Sequence, residues 1–292
     1  MIDEISISNF KSIFHQHFSL ARVNVFVGSS NSGKTNILEA LGMAAASHDD
    51  ALDREGLIKR GINPTNISHQ FEKDVEILWY EKNSWKKSKL VSHDAGNTWK
   101  EVSWYENSYI EKMNNLIQFI GDGTIEGEYP FADESKNSVL NAAFRGSRNF
   151  RDYLIYSLSK SDMQPVDKET EEKIFAVFTP QQQQELKQYA AKPEVMYYLS
   201  LFSERRSPAF FAIESIDSFL EPDVCCKLMP FITQLSLKHG KQVFITTKNP
   251  AVTGLMNLDG QEQKLFLVKK AESGQTVVVT VKDIKMVETL SE

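Results

Sequence analysis

Gly28-Ser29-Ser30-Asn31-Ser32-Gly33-Lys34-Thr35 follows the apolar run Val23-Asn24-Val25-Phe26-Val27 and leads into Asn36-Ile37-Leu38-Glu39-Ala40-Leu41. Strand, glycine-flanked loop and helix in that order, with the spacing G-x-x-x-x-G-K-[ST], make a phosphate-binding P-loop. The chemistry accounts for the residue types. Gly28 lets the chain turn sharply off the strand, and Gly33 lets backbone N–H groups approach phosphate oxygens with no Cβ in the way. Lys34 supplies a point charge to the β- and γ-phosphates, the Thr35 hydroxyl is a Mg²⁺ ligand, and the helix N-terminus adds its positive dipole end. The expected nucleotide contacts are Ser29, Ser30, Asn31, Ser32, Gly33, Lys34, Thr35 and Asn36.

The chain has 292 residues, room for one large α/β domain or a core with an inserted lobe. At 41% hydrophobic and 25% charged it has globular rather than disordered composition. The net charge of −6 counts against a dedicated nucleic-acid binder. The basic clusters, Lys82 to Lys89 and Arg145, Arg148 and Arg151, read as solvated faces. The only cysteines, Cys225 and Cys226, are adjacent and cannot bridge easily, which excludes a disulfide framework and fits a reducing cytoplasm. Neither a basic, apolar leader nor a run of membrane-spanning length is expected, so the reading is cytoplasmic with no membrane contact. His15 and His17 alternate on a strand-like segment and could meet a metal, but exposed strand histidines are the plainer reading.

Outward from the P-loop, Ile5-Ser6-Ile7-Ser8-Asn9-Phe10 alternates like a half-buried strand, and Phe14 to Ala21 reads as a second short strand or turn. The helix after the P-loop should run to about Ser47 with Ile37, Leu38 and Leu41 inward. Strand-like runs then alternate with turns: Asp74 to Trp79, Ser88 to His93 and Trp99 to Tyr105. Tyr109 to Phe119 reads as a short helix passing into a strand. Ser138–Phe150, Arg151–Ser159, Lys168–Phe178 and Pro180–Tyr189 carry helical spacing. Ala209-Phe210-Phe211-Ala212-Ile213 is wholly apolar, the profile of a buried parallel strand, and ends in Glu214-Ser215-Ile216-Asp217. A helix from Asp223 to about His239, closed by Gly240, leads to the strand Gln242-Val243-Phe244-Ile245-Thr246. A hairpin of Lys264–Val268 and Thr276–Val281 closes the pattern.

The "NFKS" turn at Asn9-Phe10-Lys11-Ser12 and the "GKTNILEAL" helix starting at Gly33 resemble the ABC-type head of SMC, RecF and OLD-family ATPases. So does the C-terminal pattern of apolar strand, acidic end, Leu220-Glu221-Pro222, helix, strand and Thr246-Thr247-Lys248-Asn249-Pro250. The resemblance covers residues 1–50 and 205–285 and is architectural between. It implies an α/β P-loop NTPase of ABC type, a mixed sheet with an antiparallel subsheet and an inserted helical lobe. The core would then comprise 1–133 and 204–292, with the lobe at 134–203. It implies ATP and Mg²⁺ as cofactors, Lys11 and Lys248 as further nucleotide contacts, and Glu214 as the Walker B acid on a strand beside the P-loop strand. Gln118 would be the glutamine that touches the metal.

The departures from the family pattern fall on hydrolysis. Ser30 stands where the family usually has Asn. The family carries Asp-Glu or Asp-Asn at the Walker B end, and Ser215 cannot serve as a carboxylate general base. Asp217 could substitute only if the backbone bends toward the site. Lys248 replaces the switch histidine. The stretch between Gly146 and Gly240 has no glycine, so the expected place of the Ser-Gly signature, around Tyr189-Ala190-Ala191-Lys192-Pro193, cannot supply it. The expectation is a subunit that holds ATP with weak or no hydrolysis, oligomerises through its head, and serves as scaffold or sensor for a separate nuclease or toxin effector in a prokaryotic or phage defence system. Fewer residues follow Pro250 than a TOPRIM nuclease domain needs. The alternative is an active ATPase of RecF or OLD type working on DNA, with Asp217 or a partner supplying the base. A small GTPase is excluded, because Asn249 is followed by Pro250 and no N-K-x-D base-reading motif forms.

Overall fold

Two sheets organise the computed structural model, which describes residues 1–47, 54–62, 75–81, 84–93, 98–106, 152–157, 165–203 and 207–283. In chain order the elements are β1 (Ile2–Phe10), β2 (Ile13–Ser19), β3 (Val23–Val27), α1 (Lys34–Ser47), α2 (Arg54–Lys59), β4 (Val75–Glu81), β5 (Ser84–His93), β6 (Thr98–Glu106) and β7 (Leu154–Ser157). There follow α3 (Lys168–Phe175), α4 (Pro180–Ala190), α5 (Pro193–Ser200), β8 (Phe210–Glu214), α6 (Pro222–Lys238), β9 (Gln242–Thr247), β10 (Gln263–Lys270) and β11 (Thr276–Val281). One sheet is antiparallel, in the order β2-β1-β4-β5-β6. The other has the order β11-β10-β3-β9-β8-β7 and is parallel except for the β10–β11 hairpin at its edge.

Burial explains which strands sit in the middle. Every residue of β3 and of β9 is buried, as central strands covered on both faces require. The edge strand β11 leaves Val277 and Val279 exposed. Side chains alternate between the faces. Phe210, Phe244, Phe26 and Phe266 point to the face covered by α1 and the antiparallel sheet. Phe211, Ile213, Val243, Ile245, Val25 and Leu265 point to the face covered by α3 to α6. The four phenylalanines form a row across neighbouring strands. Phe26 and Phe266 stack at 4.7 Å, Phe26 and Phe244 lie at 5.1 Å, and Phe210 and Phe244 meet edge-on at 5.3 Å. Together they make the floor on which α1, and with it the P-loop, rests.

Helix ends follow their sequence cues. Thr179 caps α4 in a reciprocal capping box with Gln182, with Pro180 at the first turn. Gly240, at φ +65°, ends the α6 segment where the sequence expects it. Two expectations are corrected. Where helical spacing suggests a helix over Arg151–Ser159, residues Leu154–Ser157 are β7, parallel to β8. Tyr153 and Ile155 are buried while Leu154 and Tyr156 are half-buried, a period of two. A run this short cannot be assigned by spacing alone, and the open edge of β8 decides it. Second, β8 is not beside β3. The connection β8-α6-β9 brings the wholly buried β9 between them, pairing Val243 with both Phe211 and Val23. Both cysteines are free. The segments Tyr109–Phe119 and Ser138–Phe150 lie outside the described residues.

Candidate nucleotide-binding site

The P-loop leaves the C-terminal end of β3, the edge at which open α/β sheets carry ligands. Its two glycines are sterically required. A Cβ on Gly28 would lie 2.2 Å from the Val268 carbonyl oxygen of β10. Gly33 has φ +104°, and a Cβ there would lie 1.9 Å from Thr276 Oγ1. Asn31 turns the loop at φ +64°, a conformation that Asn tolerates better than most residues.

Lys34 is buried inside the arch, its ammonium donating to the Gly28 and Ser29 carbonyl oxygens at 2.7 Å each. Burial lowers its pKa below the ordinary lysine value. Asp217 and Glu214 oppose that shift and Lys248 adds to it, so all three lie within electrostatic reach of the Lys34 ammonium. The Thr35 hydroxyl donates to Glu214 Oε1, which joins the start of α1 to the end of β8. These are two of the three expected metal ligands, and the fold brings them together across 179 residues of sequence. Oxygen donors of this kind suit Mg²⁺. Gln118 lies outside the described residues.

Immediately after Glu214 the chain bends. Ser215 is left-handed at φ +52°, and its backbone N–H donates to Thr246 Oγ1 at 2.8 Å. The bend carries Asp217 round to the β9 loop, where its Oδ2 accepts the Lys248 backbone N–H at 3.1 Å. Asp217 Oδ1 is buried with no hydrogen-bond partner among the described residues. The Lys248 side chain is exposed.

A hollow of about 390 Å³ opens in front of the loop, lined by Lys11 and Ser12 of the β1–β2 turn, by Asn31 through Asn36, and by Lys270 at the end of β10. That volume suits a small cofactor. Of the other expected site residues, Ser29, Ser30, Glu214, Asp217 and Lys248 do not line this hollow. Lys11, at φ +48°, pairs with the buried Glu39 of α1 at 2.5 Å. A relay of hydroxyls braces the loop from outside. Asn36 Nδ2 donates to Ser12 Oγ at 2.6 Å, and Ser12 Oγ lies 2.6 Å from Thr276 Oγ1. Thr276 Oγ1 in turn donates to the Ser32 carbonyl oxygen at 3.2 Å. The Thr276 backbone N–H donates to the Ser12 carbonyl at 2.7 Å.

Three of these residues were not singled out from sequence. Ser12 carried a signal, as the last residue of the "NFKS" turn. Thr276 and Lys270 carried none, since their part in the site depends on contact with residues more than 230 positions earlier. The site holds what a magnesium nucleotide needs: a loop that only glycine can form, a buried ammonium, a hydroxyl and carboxylate in contact, and a helix N-terminus. His15 Nδ1 lies 2.8 Å from Ser8 Oγ, and His17 faces Glu4 at 3.3 Å. Among the described residues no group of three or more His, Cys, Asp or Glu gathers as a metal centre, and no helix is long and apolar enough to cross a membrane.

Comparison with known proteins agrees. The DNA replication and repair protein RecF of Streptococcus thermophilus is 26% identical over 130 residues, 42% of this chain and 30% of the RecF chain, in three strains. The matched stretch thus spans less than a third of RecF. Among solved structures, the SMC head domain from Thermotoga maritima superposes with a TM-score of 0.48 at 14% identity, covering 97% of this chain and 99% of that one. An SMC head bound to the C-terminal winged-helix domain of ScpA gives 0.49 at 15%, covering 98% and 99%. At these scores the likeness is one of outline. The model of the AAA ATPase domain family matches residues 1–200. The chain therefore belongs to the AAA ATPase domain family, an ATP-binding family.

Proposed function

We propose that this chain holds ATP with Mg²⁺ and turns it over slowly or not at all, its ATP-bound state acting as a scaffold or sensor for a separate effector. The observation that carries this reading is the end of β8. Glu214 contacts Thr35, while the next residue is Ser215, with its backbone turned left-handed and tied to Thr246. A serine hydroxyl is too weak a base to take a proton from water at neutral pH. In this reading Thr35 and Glu214 hold the metal, joined by Gln118. Lys34 leaves the Gly28 and Ser29 carbonyls for the phosphates, and Lys248 adds charge on the γ-phosphate side. Ser29, Ser30, Asn31, Ser32, Gly33, Asn36 and Lys11 complete the nucleotide contacts. Bound Mg²⁺ supplies neutralisation of phosphate charge. The start of α5 lends further support. Its N-cap is Lys192, which makes no side-chain cap bond and pairs instead with Glu221, in a stretch without glycine.

The rest of the reading is functional context: a cytoplasmic subunit that assembles through its head with itself or a relative, and restrains a nuclease or toxin in a prokaryotic or phage defence system. Calorimetry with Mg²⁺ and ATP, alongside phosphate release, tests the core of it. Expected are tight binding lost in Lys34→Ala, phosphate release near background, and a rise in release in Ser215→Glu. Absence of ATP binding ends the reading. Rapid turnover by the wild-type chain, abolished in Lys34→Ala, removes its slow-hydrolysis part.

A second reading, an active ATPase of RecF or OLD type working on DNA, is favoured by the RecF similarity and by Asp217 Oδ1, a buried carboxylate oxygen that accepts no hydrogen bond among the described residues. Asp217→Asn would then abolish turnover, and DNA binding would weaken with salt.

A further inference from the structure

We infer that Lys270, on the terminal hairpin, is a phosphate-contacting residue of the nucleotide site; the inference rests on the nucleotide reading above. The placement follows from strand parity. In β10, Phe266 and Val268 point to the α1 face of the sheet and Leu265 and Leu267 to the opposite face. Lys270 continues the first set and Lys269 the second. β10 runs parallel to β3 with Leu267 opposite Val27, the last residue before the P-loop. Lys270 therefore extends past the end of the sheet on the side where α1 begins, and it lines the hollow with Lys34, Thr35 and Asn36.

Its electrostatic state differs from that of the other two lysines there. Lys34 is folded onto the loop carbonyls and Lys11 is neutralised by Glu39. Lys270 is exposed and, among the described residues, has no ion-pair partner. Among the described residues it is the cation of the hollow whose charge is not already committed, and a polyphosphate brings several negative charges to within reach of it. Its position is also fixed. Thr276, directly opposite Lys270 in the hairpin register, is bonded through its backbone N–H to Ser12 and through its hydroxyl to Ser32. The base of the hairpin is thus anchored to the P-loop it serves, and only the lysine side chain has to reach.

The test measures equilibrium binding of Mg·ATP, Mg·ADP, inorganic tripolyphosphate and adenosine to the full chain and to Lys270→Ala, Lys270→Arg, Lys269→Ala and Lys34→Ala, with thermal melts to establish folding. Lys270→Ala should weaken ATP and tripolyphosphate binding by roughly tenfold, the scale of a charge-assisted hydrogen bond. Lys270→Arg should restore most of the loss, and Lys269→Ala should bind like wild type. Wild-type ATP affinity in Lys270→Ala overturns the inference while leaving the nucleotide reading intact. An equal loss in Lys269→Ala overturns it as well, since a general surface field would then be the cause. If the wild-type chain binds neither ATP nor tripolyphosphate, the nucleotide reading itself fails and the inference with it.

Discussion

Replacing Gly33 by alanine tests whether the P-loop is held in shape by the hairpin behind it. Two costs are readable. At φ +104° a residue with a Cβ is strained, by about 1–3 kcal/mol. The new methyl would also lie 1.9 Å from Thr276 Oγ1 and 2.9 Å from Thr276 Cβ and Cγ2. Thr276 cannot simply turn away. Its backbone N–H is held by Ser12 and its hydroxyl by Ser12 and Ser32. Displacing packed atoms of this kind costs about 1–3 kcal/mol. The expected loss is therefore roughly 2–6 kcal/mol out of a typical total of about 5–15. Urea unfolding without nucleotide reads it as a lower midpoint with an unchanged slope. Thr276→Ala removes Oγ1 and Cγ2, so the double mutant should be less damaged than the sum of the single mutants by about 1 kcal/mol or more. Additivity within about 0.5 kcal/mol would refute the steric argument. A Gly33→Ala chain as stable as wild type would refute the whole account of the loop.

Three further outcomes are expected. Phe244→Ala opens a void between Phe26 and Phe210 in the aromatic row beneath α1 and should cost about 3–5 kcal/mol in the same urea assay. Lys34 has a folded-state pKa below its unfolded value, so the unfolded chain binds more protons between the two. The stability of wild type relative to Lys34→Met should then rise with pH from the depressed folded value up to about 10.5, and a flat difference would contradict the burial of Lys34. Glu214→Gln removes one member of the Thr35–Glu214 contact. It should weaken ATP binding in Mg²⁺ about tenfold or more while leaving binding in excess chelator little changed, as calorimetry at both conditions will show.

The Gly33 prediction depends on a residue that no reading of the sequence singles out, and that divides what was legible from what was not. The P-loop, the helix after it, the apolar strand ending in Glu214 and the closing hairpin all announce themselves locally. Each is a periodic or spaced pattern within about 20 residues, and its physics, strand alternation or a glycine where no Cβ fits, acts over the same short range. The sequence also read Thr35 and Glu214 as ligands of one metal, and the direct contact between them is what the structure adds.

Whether residues 154–157 become helix or strand was settled by the free edge of β8, and the place of β9 between β3 and β8 by a crossover through α6. Asp217 turns toward Lys248 only because Ser215 adopts a left-handed bend. The Asn36–Ser12–Thr276–Ser32 relay and the approach of Lys270 to the P-loop join opposite ends of the chain. By itself the sequence determined that a nucleotide loop is present and which residues form it. Only the tertiary structure decided what stands around that loop, because hydrogen bonds and charges act through distance in space, and nothing in the spacing of residues 12, 32, 270 and 276 encodes that distance.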